Sequence, residues 1–242
     1  IVQVDIDPRN IGLHRRLHRG VVADAGAALR RLLAAVKEAG IPASDGSDVA
    51  RFRAMSDAAT RAMLGGLEAS FEDERVHPAQ VMLAIQSVFP ADTINVADGG
   101  NTGMYNRALR DFSTPRTQVG NYEFGHLGTG IPHAIGAKLA NPERDVLCST
   151  GDGAAGFNIM ELETAVRERA NITVVVNAEG SWSMEEMLHL EADVPEDRYR
   201  STYMSPTRWD VIAEGMGCHG EYVDRAGQLE PALQRARQEE RA

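Results

Sequence analysis

The sequence predicts an α/β fold, a mostly parallel sheet with helices on both faces. Apolar runs alternate with stretches of helical periodicity, the pattern of strand–helix–strand units. The runs Thr93–Ala97, Val146–Ser149 and Ile172–Val176 are continuous rather than alternating, as strands covered on both faces require. Three glycine-rich turns, Gly99–Thr102, Gly125–Gly130 and Gly151–Gly153, lie among these units, where such sheets bind ligands beyond their strand ends.

The elements follow in order. Val2–Ile6 reads as a strand, then an Arg/His-rich loop, a short Val21–Val22 strand and a helix over Ala25–Ala39. That helix carries Leu29, Leu32, Leu33 and Val36 on one face, and Gly40 and Pro42 stop it. Residues 1–42 look like the end of a domain that starts earlier in a longer protein. Residues 43–75 form a polar, Ala-rich linker, helical over Asp48–Glu68. Residues 76–242 form the main domain. Its helices are expected over Pro78–Phe89, Gly103–Phe112, Pro132–Ala140, Phe157–Ala170, Arg208–Met216 and Gln228–Arg237. A further strand is expected at Glu221–Val223, and a final one beyond the charged end Arg237–Ala242.

Composition narrows the classes. The chain has 242 residues, 43% of them hydrophobic, enough for a sizeable core. A net charge of -10 speaks against a nucleic-acid surface. Two cysteines, Cys148 and Cys218, read as unpaired thiols in a reducing cytoplasm. A membrane span needs about 18 apolar residues in a row, and the sequence offers no such stretch. The first residues lack the basic segment and apolar core of a signal peptide.

The third turn carries the chemistry. Gly151 and Gly153 let the backbone approach an anion closely, and the following helix presents free N–H groups and a positive dipole end. Asp152 between them repels a diphosphate unless a cation intervenes. Mg²⁺ usually takes one or two carboxylates plus substrate phosphates. Glu179, just past the next strand, supplies a second carboxylate. A dinucleotide site fits less well, because Gly125-His126-Leu127-Gly128-Thr129-Gly130 lacks the required glycine spacing, and a P-loop Lys-Ser/Thr is missing.

Gly151-Asp152-Gly153, the helix with Glu161-Leu162, the next strand and the Asn177–Trp182 loop together resemble the diphosphate-binding domain of thiamine-diphosphate enzymes. The acetolactate synthase, benzaldehyde lyase and 2-oxo acid decarboxylase group is the most similar. The likeness covers about residues 76–235, while Val4–Pro8 with Ile11-Gly12 resembles the tail of that group's Rossmann-like middle domain. It implies thiamine diphosphate and Mg²⁺ as cofactors. Asp152 would be the first metal ligand, and counting without gaps makes Glu179 the second, in place of the family's Asn, with the Ser181 carbonyl third. A one-residue gap makes Asn177 a ligand instead. Asn101, Thr102, Gly151, Gly153 and Ala154 would hold the diphosphate. Glu123–Gly128 is similar to the turn that bends the cofactor, with Leu127 as the apolar wedge and the Gly125 carbonyl accepting from the pyrimidine. His126 beside them either faces substrate or is a structural histidine. His77 reads as a helix-start residue, and Trp182, Met184, Met187 and Leu188 as a lid or as core.

The resemblance further implies cleavage or formation of a C–C bond next to a carbonyl, by decarboxylation or carboligation of a small carbonyl substrate. Activity would need a pyrimidine-binding N-terminal region, in a homodimer or homotetramer. The alternatives are a non-catalytic or regulatory α/β subunit that keeps the fold, and a Rossmann-like nucleotide enzyme.

Overall fold

A computed structural model describes residues 1–71, 75–121 and 124–239. Glu123 of the bending turn, residues 72–74 of the linker and the charged end 240–242 lie outside the described residues. The chain divides into two compact units, Ile1–Ala58 and Ala59–Ala242.

In the first unit, β1 (Val2–Asp5) pairs in parallel with β2 (Arg19–Val22), Val4 opposite Val21. Helix α1 (Ala25–Glu38) follows, its first turn capped by Asp24 Oδ1, which accepts from Ala27 N at 2.8 Å. Its Leu29, Leu32 and Leu33 stripe is exposed. Helix α2 (Ser47–Phe71) runs through the division between the units, inside the stretch that the sequence marks as linker.

In the second unit the order is α3 (Pro78–Val88), β3 (Ile94–Ala97), α4 (Gly100–Leu109), β4 (Gln118–Val119), α5 (Gly130–Ala140), β5 (Val146–Gly151), α6 (Asp152–Asn158), α7 (Glu161–Arg167), β6 (Thr173–Asn177), α8 (Ser183–Glu191), α9 (Trp209–Gly215) and α10 (Leu229–Gln238). The four strands form a parallel sheet in the order β4-β3-β5-β6.

Both faces of this sheet are covered. Val146 and Cys148 of β5 pack with Ile131, Ile135 and Leu162 on one side. Leu147 points the other way, into Met82, Ile85, Leu109 and Leu229. Neighbouring residues of one strand thus serve opposite cores, which is why the apolar run is unbroken.

Several boundaries differ from the sequence reading. Helix α4 begins at Gly100 rather than Gly103, so Asn101 and Thr102 sit in its first turn. The expected helix over Phe157–Ala170 begins at Asp152 and is split into α6 and α7. At the break, Leu162 and Glu163 donate to the carbonyls three residues back, Ile159 and Met160. Arg169, at φ 53, ends the second piece. The strand expected at Glu221–Val223 is irregular backbone. Side chains hold that segment instead: Glu221 pairs with Arg235, and Tyr222 lies under the Arg208 guanidinium. The two-residue β4 escaped the sequence reading because two residues carry no period.

His77 caps α3 as the sequence suggests. Its Nδ1 accepts from Ala79 N at 3.1 Å, and its own N–H donates to Gln80 Oε1 at 2.8 Å. The ring is edge-on to Phe71 and Tyr105. Burial pushes its pKa below the ordinary 6.5, against the opposing charge of Glu179. Protonation would place a proton on the accepting nitrogen and break the cap.

Two outcomes are expected. Leu147→Ala empties a fully buried site and should lower the unfolding free energy by about 2–5 kcal/mol in urea titrations. Because His77 binds its proton less readily folded than unfolded, stability should fall as the pH drops from 6.5 through the lower folded value. His77→Asn, whose side chain can still cap, should flatten that slope.

Candidate functional site

The site is built where β5 and β6 end level and β3 ends two residues short of them. Ala97 of β3 stands opposite Ser149, and Gly151 of β5 opposite Asn177 of β6. The turns that follow these strands meet at one edge of the sheet.

Asp98 organises the first turn. It is buried, with Oδ1 accepting from Gly99 N at 2.8 Å and Oδ2 from Gly130 N at 2.7 Å. One carboxylate therefore closes the turn after β3 and holds the first residue of α5. Gly99, at φ 90, comes so near the next turn that a Cβ would lie 3.2 Å from Gly151 N. Only glycine meets both demands.

The head of α4 carries Asn101 and Thr102. Asn101 Nδ2 donates to Ser183 Oγ at 2.7 Å, and the buried Thr102 Oγ1 accepts from Asn177 Nδ2 at 3.2 Å. Beneath them runs a buried polar network. Asn95 Nδ2 donates to Asn106 Oδ1 at 3.0 Å, and Asn106 Nδ2 donates to Ser149 Oγ at 2.9 Å. Fully satisfied buried amides of this kind fix the helix against both strands.

Asp152 opens α6 and is 5% exposed. Its Oδ1 accepts from Gly153 N at 2.8 Å and its Oδ2 from Gly180 N at 2.7 Å. The acid thus clamps the loop after β6 to the start of a helix, where the dipole favours negative charge. Asn177, the last residue of β6, is buried, whereas Glu179 is exposed. Glu179 charge reaches His77 and Tyr105. The Tyr105 phenol is pushed up by burial and then by Glu179. Ser181 pairs with Tyr203 in an antiparallel bridge.

The second turn faces this corner. Gly125 and Gly128 both have positive φ, 59 and 88, and the carbonyl of Gly128 accepts from Asn158 Nδ2 at 2.8 Å. His126 is exposed and Leu127 half-buried.

One cavity of about 320 Å³ gathers these residues. Its walls include Asn101, Thr102, Gly125, His126, Leu127, Gly151, Asp152, Gly153, Ala154, Glu179 and Ser181. Every residue singled out from the sequence as catalytic, cofactor-binding or metal-binding is there. Asn177, Trp182 and Met184 line it too. Asp98 was absent from that set. Its signal was present all the same, since an Asp directly after a strand and before glycine is also the pattern of Asp152. The Ser183 contact to Asn101 joins positions 82 apart and had no local signal.

The donor set suits a diphosphate with a divalent cation. Two helix heads, α4 and α6, start at glycine N-caps with no side-chain cap bond. A buried carboxylate stands between them and the end of β6.

Comparison with known proteins bears on the same region. Residues 98–242 match the family described as thiamine pyrophosphate enzyme, C-terminal TPP binding domain. A probable acetolactate synthase of Mycobacterium bovis is 35% identical over 175 residues, 70% of this chain and 31% of that protein. A sulfoacetaldehyde acetyltransferase of Castellaniella defragrans is 29% identical over 98% of this chain and 42% of its own length. The chain thus spans between about a third and two fifths of such relatives. Among solved structures, a thiamine diphosphate-dependent 4-hydroxybenzoylformate decarboxylase of Rhodococcus jostii superposes with a TM-score of 0.65 at 24% identity, over 70% of this chain and 32% of that one.

Gly99→Ala should lower the urea midpoint, costing about 1–2 kcal/mol for the left-handed φ alone. Gly136→Ala, in α5 with open space around it, should instead raise stability by about 0.5–1 kcal/mol.

Proposed function

We propose that this chain, which belongs to the thiamine pyrophosphate enzyme family through its C-terminal TPP-binding domain, forms the diphosphate and Mg²⁺ half of an enzyme that cleaves or forms C–C bonds next to a carbonyl. The observation that carries this reading is the meeting of two uncapped helix heads and the buried Asp152 in one cavity. Residues 76–242 are the cofactor domain, 43–75 a helical linker and 1–42 the tail of a middle domain.

When bound, thiamine diphosphate would supply a nucleophile for a carbonyl carbon and a sink for the electron pair of a breaking C–C bond. The residues of this chain bind and orient it. The backbone N–H of Ala154, with Asn101 and Thr102, would hold the diphosphate oxygens, while Gly153, whose N–H is taken by Asp152, lets the backbone come close. Asp152 binds the cation through lone pairs not used by Gly153 and Gly180, with Glu179 as second ligand and the Ser181 carbonyl as third. Leu127 serves as the wedge between the two rings, the Gly125 carbonyl accepts from the pyrimidine, and His126 faces the substrate side.

Turnover requires a pyrimidine-binding N-terminal region, and the working unit is a homodimer or homotetramer. The substrate is a small carbonyl compound such as a 2-oxo acid, in keeping with the acetolactate synthase and acetyltransferase relatives. Two buried free thiols suit a cytoplasmic setting. Among the described residues, no helix is long and apolar enough to cross a membrane.

Calorimetry with thiamine diphosphate tests the reading. Binding should be Mg²⁺-dependent and weaken at least tenfold in Asp152→Asn. Glu179→Ala should weaken it strongly. If Glu179→Ala leaves affinity unchanged while Asn177→Ala destroys it, the second ligand is Asn177.

A further inference from the structure

The charges around the cavity are unevenly placed. Asp152 follows β5, and Glu179 and Glu185 follow β6; all three line the wall. Asp98, after β3, lines it too, but backbone N–H groups take both of its oxygens. Glu179 and Glu185 are exposed and keep their full charge toward an incoming ligand. A cation held at Asp152 answers the acids of that corner. It leaves them hostile to a second anion entering beside the diphosphate.

The rest of the wall has the opposite character. Gly100, Met104 and Arg107 recur at helical spacing along α4, and all three line the cavity. Arg107 stands about 10 Å along the helix axis from Gly100, where the two helix heads meet. Helical side chains lean back toward the N-terminus, so its guanidinium covers the turn that carries Met104 and faces into the cavity. Among the described residues of the wall, Arg107 is the single Arg or Lys. Asn121 and His126 line the cavity from the loop after β4, the strand at the opposite end of the sheet from β6. Both side chains can donate hydrogen bonds.

We infer that Arg107 is the residue that selects carbonyl substrates bearing a carboxylate, and that it receives this group away from the cation corner. The inference deepens the carbonyl-substrate reading given above and rests on it. A guanidinium presents two parallel N–H donors that match the two oxygens of a carboxylate, which an ammonium cannot do. Arg107 is exposed, so water screens the pair. Its effect on affinity should be about threefold to tenfold.

The 242-residue chain is first titrated with thiamine diphosphate and Mg²⁺ in a calorimeter. The loaded chain is then titrated, by ligand-observed NMR, with pyruvate and with 3-methylbutan-2-one, a neutral ketone of similar shape. Pyruvate should bind about threefold to tenfold more tightly than the ketone at low salt. The preference should shrink toward about 1 M salt, where charges on an exposed surface are screened. Arg107→Gln should remove the preference by weakening pyruvate alone. Arg107→Lys should keep part of it, and Arg107→Glu should reverse it. Suppose instead that Arg107→Gln keeps the preference or weakens both probes equally, or that pyruvate does not bind the loaded chain. Arg107 is then not the selecting residue, while the diphosphate reading stands. Absence of cofactor heat would overturn that reading and this inference with it.

Discussion

The site depends on one buried carboxylate. Asp152 accepts the amide of Gly153 ahead of it and that of Gly180 from the loop after β6. Those two bonds join the ends of neighbouring parallel strands. A buried, ionised side chain is costly unless every lone pair has a use. Here two uses are structural, and the helix start adds a favourable dipole. The lone pairs that remain face the cavity and are open to a further partner.

Asp98 repeats the device one strand over. It closes the turn after β3 and holds α5 through Gly130, as Asp152 closes the turn after β5 and holds the loop after β6. Between them the backbone must come very close, and Gly99 permits it. Below, Asn95, Asn106 and Ser149 satisfy one another in the interior. Two acids, one glycine contact and one amide network thus place two helix heads on a single cavity.

Much of this was legible in the residues. Unbroken apolar runs signalled strands covered on both faces, and Leu147 with Cys148 explains why no alternation appears. The three glycine-rich turns were visible because glycine is needed where φ is positive or backbones approach, and they do line one cavity. Helix starts were less legible. Asn101, Thr102 and Gly153 look like turn residues by propensity, yet they lie inside helices whose heads are held by tertiary contacts. The stretch at Glu221–Val223 has strand composition, but ion pairing to Arg235 and stacking under Arg208 claim its side chains first.

By itself the sequence determined the fold class, the strands β3, β5 and β6 with most of the helices between them, and which short segments could approach an anion, because periodicity and glycine placement are local properties. The tertiary structure alone decided that Asp98 and Asp152 play parallel parts, that Asn177 is buried while Glu179 is exposed, and that Ser183 reaches Asn101. Those outcomes turn on hydrogen bonds between residues tens of positions apart. Such bonds depend on strand register and helix placement, which no local pattern encodes.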